Sequence, residues 1–206
     1  MEDILAVYEL PYDPLYPVVC MDESSKQLVG ETRAQIPMRP GHGKLVDHEY
    51  VRNGVAAILI EVEALAGKRH VEVTERRTRQ DWAHFIKGML TERYPDARKV
   101  RLVVDNLNIH EAASLYETFA PAEARSLAER LEIHYTPKHG SWLNIAEIEL
   151  SALNSQCLNR RIPNIELMRH EVSAWQRHRN QRGAPIHWRF TAEDARIKLL
   201  RLYPEL

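Results

Sequence analysis

The sequence predicts an α/β fold in which strands and helices run in the order βββαβαβα, with further helices behind. Three observations carry this. Pro17-Val-Val-Cys-Met-Asp22-Glu23 and the run Lys99 to Asn106 (KVRLVVDN) read as buried strands, each closing on an acid. Asn53 to Ala66 and His70 to Thr74 are separated by Gly67-Lys68, which suits a hairpin of antiparallel strands. Thr78 can cap a helix through Asp81, and Trp82, Phe85, Ile86, Met89 and Leu90 then recur at helical spacing until Pro95.

The remaining elements follow the same rules. Residues 1–15 form a helical and then proline-rich lead-in, and the first strand is expected to stop at Ser24-Ser25. Proline and glycine recur from Ile36 to Gly43, the mark of a surface excursion. Ser114 to Phe119 and Pro121 to Arg130 have helix-forming composition, with Pro121 suited to a first turn, and Leu131 to Thr136 is a fifth strand. Ser141 to Leu158 reads as one long helix capped by Ser141, with Leu143, Ala146, Leu150, Leu153 and Cys157 as its apolar stripe. Helices from Asn164 to about Arg182 and from Ala192 to Leu202 complete the chain. The expected organisation is a lead-in at 1–15, a core at 16–158, and a basic helical extension of the same domain at 159–206.

Composition fits one globular domain: 206 residues, 44% hydrophobic and 28% charged, without a low-complexity tract. The acidic start lacks the pattern of a signal peptide, and no run of apolar residues is long enough for a membrane helix. A cytoplasmic location is the expectation, with Cys20 and Cys157 as free thiols and no zinc spacing around either. Net charge is −1, yet residues 1–31 hold seven acids against one lysine while residues 159–201 hold ten Lys and Arg against four acids. That tail suits either a solvated helix face or contact with a polyanion.

Asp22 and Asp105 close buried strands, and the helix after the last strand offers Glu147. If the first strand pairs in parallel with the fourth, the two aspartates lie about 4.8 Å apart per strand spacing, where ligands gather in open α/β sheets. Carboxylates crowded there call for a cation, and hard oxygen donors suit Mg²⁺ or Mn²⁺. The same residues also suit structural roles, since Asp before Ser or Asn is common turn chemistry and a helical glutamate is ordinarily exposed.

The segments VVCMDES, LVVDNLNIH and YTPKHGSWLNIAEIE resemble the signature blocks of DDE transposases, in the bacterial insertion-sequence branch related to mariner elements. The likeness runs from about residue 16 to the end of the chain. It implies an RNase H-like fold, a mixed five-stranded sheet with the first three strands antiparallel and the fourth and fifth parallel to the first. It also implies DNA cleavage and strand transfer with two Mg²⁺ or Mn²⁺ ions, and a TA target. On this likeness Asp22, Asp105 and Glu147 are the catalytic and metal-binding acids. Glu147 is placed by standing three residues after Asn144. Its rival Glu149 lies about 200° further round the helix, and Glu23, a rival of Asp22, points to the opposite side of its strand.

With DNA as substrate, Lys138 and His139 before the helix, Trp142 and Asn144 in its first turn, and Arg160, Arg161 and Arg177 in the tail become candidate DNA contacts. Trp142 equally suits packing, His110 a loop cap rather than proton transfer, His134 a structural place in its strand, and Arg76, Arg77 and Arg79 a second basic patch. Relatives carry helix-turn-helix modules upstream, so an upstream region or partner is expected to supply end recognition, and the chain to associate with itself on DNA, nucleoid-associated. Two other readings share the sequence features: an RNase H-like endonuclease without transfer activity, and a noncatalytic DNA-binding protein derived from a transposase.

Overall fold

In a computed structural model the described residues are 1–33, 36, 38–43, 47–138 and 140–203. Five strands, β1 Val18–Glu31, β2 Tyr50–Glu63, β3 Lys68–Thr74, β4 Val100–Val104 and β5 Leu131–Tyr135, form one sheet in the order β3-β2-β1-β4-β5. β1 pairs antiparallel with β2, and β2 with β3; β4 runs parallel to both β1 and β5, as expected. The helices are α1 Glu2–Tyr8, α2 Arg79–Gly88, α3 Ala112–Thr118, α4 Pro121–Glu129, α5 Ile145–Leu153, α6 Ile165–Arg182 and α7 Ala192–Lys198.

Alternation along β1 divides the core into two layers. Val19 and Met21 pack with Leu102, Val104, Trp82, Phe85 and Leu115 under α2 and α3, whereas Cys20 packs with Val103, Ile60, Ile145, Ala146 and Val172 under α5 and α6. Val19, Cys20 and Met21 are all fully buried, which is why this stretch is apolar on both sides.

β1 does not end at Ser24-Ser25. It continues to Glu31 as a two-stranded ribbon with the first half of β2, broken by an irregularity between Gln27 and Val29. Outside the helical layers only one side of a ribbon needs burial, so a polar strand there carries the composition of a turn. Between Arg39 and His42 a short bridge spans Pro40-Gly41, within the expected excursion. The β2–β3 turn holds Gly67 at φ +64, and a Cβ there would lie 2.5 Å from the Gly183 carbonyl oxygen. Glycine is required on both counts.

α2 begins with the expected Thr78/Asp81 capping box and gives way to a π turn at Met89–Arg93 before Pro95. The expected helix from Ser141 to Leu158 is instead three pieces: a 3₁₀ turn at Ser141–Leu143, α5, and a π turn at Asn154–Leu158. Asn144, not Ser141, caps α5, because it is the residue with extended backbone and its side chain accepts from Ala146 N. α6 starts at the Asn164 cap, ends at left-handed Gly183, and lies along β3. There Asn180 exchanges hydrogen bonds with the Arg69 backbone, accepting from its N–H at 2.9 Å and donating to its carbonyl at 2.8 Å. Gln176 accepts from Val71 N at 2.7 Å, and Arg169 Nε donates to the Val73 carbonyl at 3.1 Å.

Candidate active site

The parallel pairs Val18↔Arg101, Val19↔Leu102 and Cys20↔Val103 set the register of β1 on β4. Two residues beyond the last pair come Asp22, inside β1, and Asp105, just past the end of β4, at one level of the sheet; alternation along β1 turns Asp22 to the side of Cys20, the layer beneath α5. Asp22 is buried, with 8% exposure, and its Oδ1 accepts from Glu23 N at 2.8 Å. Burial, joined by the charges of Glu147, Glu23 and Asp105, pushes its carboxyl up to about 7. Glu147, in the first turn of α5, is exposed and stands close enough to act on Asp22.

α5 is fastened to β1 one residue before Asp22. Asn144 is fully buried, its Nδ2 donates to the Met21 carbonyl at 2.8 Å, and its Oδ1 accepts from Ala146 N at 3.1 Å. The Tyr8 hydroxyl from α1 donates to the Leu143 carbonyl at 2.7 Å and pins the turn ahead of the cap. The sequence suggests Asn144 as a DNA contact; with no exposure and both ends of its amide engaged, it is instead a fastener of the helix.

Glu149 points elsewhere. Fully buried, it lies 2.9 Å from Arg69 Nε, while Arg179 Nε and Nη2 donate to its two oxygens at 3.0 and 2.9 Å. Burial alone would raise its carboxyl, but Arg179 and Arg69 outweigh that and hold it below the ordinary range. Glu23, on the opposite side of β1 from Asp22, meets His110 Nε2 at 2.8 Å and Arg77 Nη1 at 3.5 Å.

His110 joins the two sides. Its ring has no exposure, packs 5.9 Å from the Trp82 ring, and brings Nδ1 to 2.6 Å from Asp105 Oδ1. Burial would lower its pKa, yet Asp105 and Glu23 hold it up at about 9. From sequence His110 suits a loop cap rather than proton transfer; the one signal that could have found this place is its spacing of five residues from the second acid.

Among the described residues no group of three or more His, Cys, Asp or Glu is arranged to hold a metal ion. Lys138 is exposed, and Trp142, 43% exposed, stacks on Trp188 at 6.4 Å and meets Phe190 edge-on at 5.7 Å. His139 lies outside the described residues. Arg177 is exposed, whereas Arg160 pairs with Glu171 and Arg161 is held by Glu31 and the Asp47 and Glu49 carbonyls. Arg79 pairs with Glu117, and His134 contacts Asp3 and Glu132. Cys20 and Cys157 are free thiols, and among the described residues no helix is long and apolar enough to cross a membrane.

Comparison with solved structures gives the fold a name. The chain superposes on the Mos1 mariner paired-end complex with Mn at a TM-score of 0.58 and 16% identity, covering 89% of this chain and 55% of that one. The Mos1 paired-end complex with Mg matches at a TM-score of 0.57 and 15% identity, over 91% and 54%. The Mos1 paired-end complex with the left transposon end gives 0.58 and 16%, over 89% and 55%. The fold is RNase H-like, and the chain spans about half the length of these Mos1 chains. A comparison with curated proteins finds no match. Residues 17–169 match the family model described as DDE superfamily endonuclease, a span that takes in Asp22, Asp105 and Glu147, and the chain belongs to that family.

Proposed function

We propose that this chain is the catalytic domain of a DNA transposase, which cleaves DNA and joins the cleaved end to a target with Asp22, Asp105 and Glu147 as its working acids. One observation carries the reading: the parallel register that brings Asp22 and Asp105 to one level, beside the helix bearing Glu147, where burial and then the charges of Glu147, Glu23 and Asp105 raise the Asp22 carboxyl. Mos1, of the same fold, is a mariner transposase, and its complexes contain Mg or Mn.

The donor set fits a hard divalent cation. Burial first, and then the charges of Glu147, Glu23 and Asp105, drive Asp22 toward protonation; a cation there would favour its ionised form. Asp22, inside β1, and Asp105, just past the end of β4, would hold the ion or ions, with Glu147 closing from α5. Bound divalent cations supply activation of the attacking oxygen and stabilisation of the leaving oxygen in displacement at phosphorus. The protein's own part is positioning. Asn144 keeps α5 against β1, and exposed Lys138 beside the helix entry offers a phosphate contact. Trp142 and Arg177 are further proposed DNA contacts. Duplex DNA is the proposed partner, with self-association when two ends are brought together.

The test is plasmid nicking in Mg²⁺ by the wild type and Asp105→Ala, with a precleaved DNA end added to detect joining. Metal-dependent nicking and joined product, both abolished in the variant, are expected. Nicking retained by Asp105→Ala sinks the site; nicking without joined product leaves an endonuclease.

A further inference from the structure

His110 stands outside the three acids, yet it is held on every side next to one of them. Its ring is inaccessible, lies against Trp82, and touches a carboxylate at each nitrogen, Asp105 at 2.6 Å and Glu23 at 2.8 Å. Its backbone is fixed as well: the N–H donates to the Leu107 carbonyl at 2.9 Å, and the carbonyl accepts from the Tyr135 hydroxyl at 2.8 Å. Glu23 is braced from outside by Arg77 at 3.5 Å. A chain Arg77, Glu23, His110, Asp105 thus runs from the surface, through the α2 layer, to the second acid. Asp105 itself closes a five-residue strand and begins a loop, so without His110 little would fix its carboxylate.

We infer that His110 is the positioning residue of Asp105: backed by Glu23 and Arg77, it holds Oδ1 and so presents Oδ2 to a divalent cation in a fixed direction. This rests on the proposed role of Asp105 as a metal ligand. Outer partners of ligating carboxylates set ligand orientation, and removing one costs about 10–100-fold in metal affinity. Glu23, which strand alternation turns away from the metal side, acquires a use because it faces that way.

The experiment is Mn²⁺ titration followed by electron paramagnetic resonance on the full chain, for wild type, His110→Gln, Glu23→Gln and Asp105→Asn, at one pH and below every variant's melting temperature. His110→Gln should bind Mn²⁺ about 10–100-fold more weakly, and Glu23→Gln, which retains an acceptor for the ring, should be weakened by a smaller factor. Nicking by His110→Gln should recover toward the wild-type plateau at saturating Mn²⁺, since the ligands are intact; a purely structural role would lower the plateau and leave the metal dependence unmoved. If Asp105→Asn binds Mn²⁺ like the wild type, the site reading itself fails. If Asp105→Asn no longer binds Mn²⁺ while both His110→Gln and Glu23→Gln bind as wild type, the positioning role fails alone. Should His110→Gln not fold, Glu23→Gln decides by the same criterion.

Discussion

Glu149 is clasped by Arg69, Nε to Oε2 at 2.9 Å, in a pair from which solvent is excluded, while Glu147 two positions earlier is exposed. The two glutamates should therefore fail differently. Glu149→Gln strands two guanidinium groups and should cost about 3–5 kcal/mol in urea denaturation at pH 7. Because its carboxyl is held below the ordinary range, that contribution is present above the unfolded carboxylate pKa and lost as pH falls through the folded one. The penalty should narrow in acid. Glu147→Gln should shift stability by less than about 0.5 kcal/mol and abolish nicking. The reverse pattern would exchange their roles.

Asp22 has the opposite linkage. Its folded pKa, near 7, lies above the unfolded value, so the stability tied to its proton is present in acid and lost as pH rises to about 7. Without metal, Asp22→Asn should melt higher than wild type at pH 8. The gap should shrink toward pH 5, following up to ~1.4 kcal/mol per pH unit within that window. Mg²⁺ should raise the wild-type melting temperature and raise the variant's less. Equal gains in both would put the ion elsewhere.

Removing Asn144 tests the fastening of α5. Asn144→Ala forfeits a helix cap and leaves the buried Met21 carbonyl without its donor, a destabilisation of about 1–3 kcal/mol. Nicking should fall even at temperatures where the variant is fully folded, since Glu147 rides on the first turn of that helix. Full activity with lowered stability would separate the cap from the chemistry.

DNA binding should divide the basic residues into two groups. Lys138 and Arg177 are exposed, and Lys138→Glu or Arg177→Glu should weaken duplex binding for all sequences alike, lowering the salt slope by about 0.9 for every phosphate that is no longer neutralised. Arg161 is already engaged by Glu31 and two carbonyls, so Arg161→Glu should show first as a lower melting temperature. Fluorescence anisotropy across a salt series, beside thermal melts, distinguishes these outcomes.

What can be read from the sequence is what is local. Strand cores such as Val18 to Met21, the Thr78/Asp81 box and the turn at Gly67 are each written within a few residues, and the acids that follow the apolar runs of β1 and β4 are legible from those runs. The ribbon beyond Ser24 is not legible there because its pairing partner, not its own composition, makes it a strand. Helix geometry turns Glu149 away from the site, but its partner Arg69 sits 80 positions earlier and nothing in the spacing announces it. His110 is hidden for the same reason: its meaning lies in Glu23, which reaches it from another strand.

The side chains of α6 along β3 have a consequence for how this molecule meets others. A sheet's outer strand offers unpaired amides and carbonyls on which a foreign strand can template itself. Here Asn180, Gln176 and Arg169 already occupy the outward groups of Arg69, Val71 and Val73, so that side of the sheet is sealed against growth by the protein's own helix. Copies of the chain are thereby hindered from pairing through β3. Three polar side chains complete a cover that the apolar packing of α6 on Val71 and Val73 begins, and a combined Asn180→Ala and Gln176→Ala chain should aggregate more readily than the wild type.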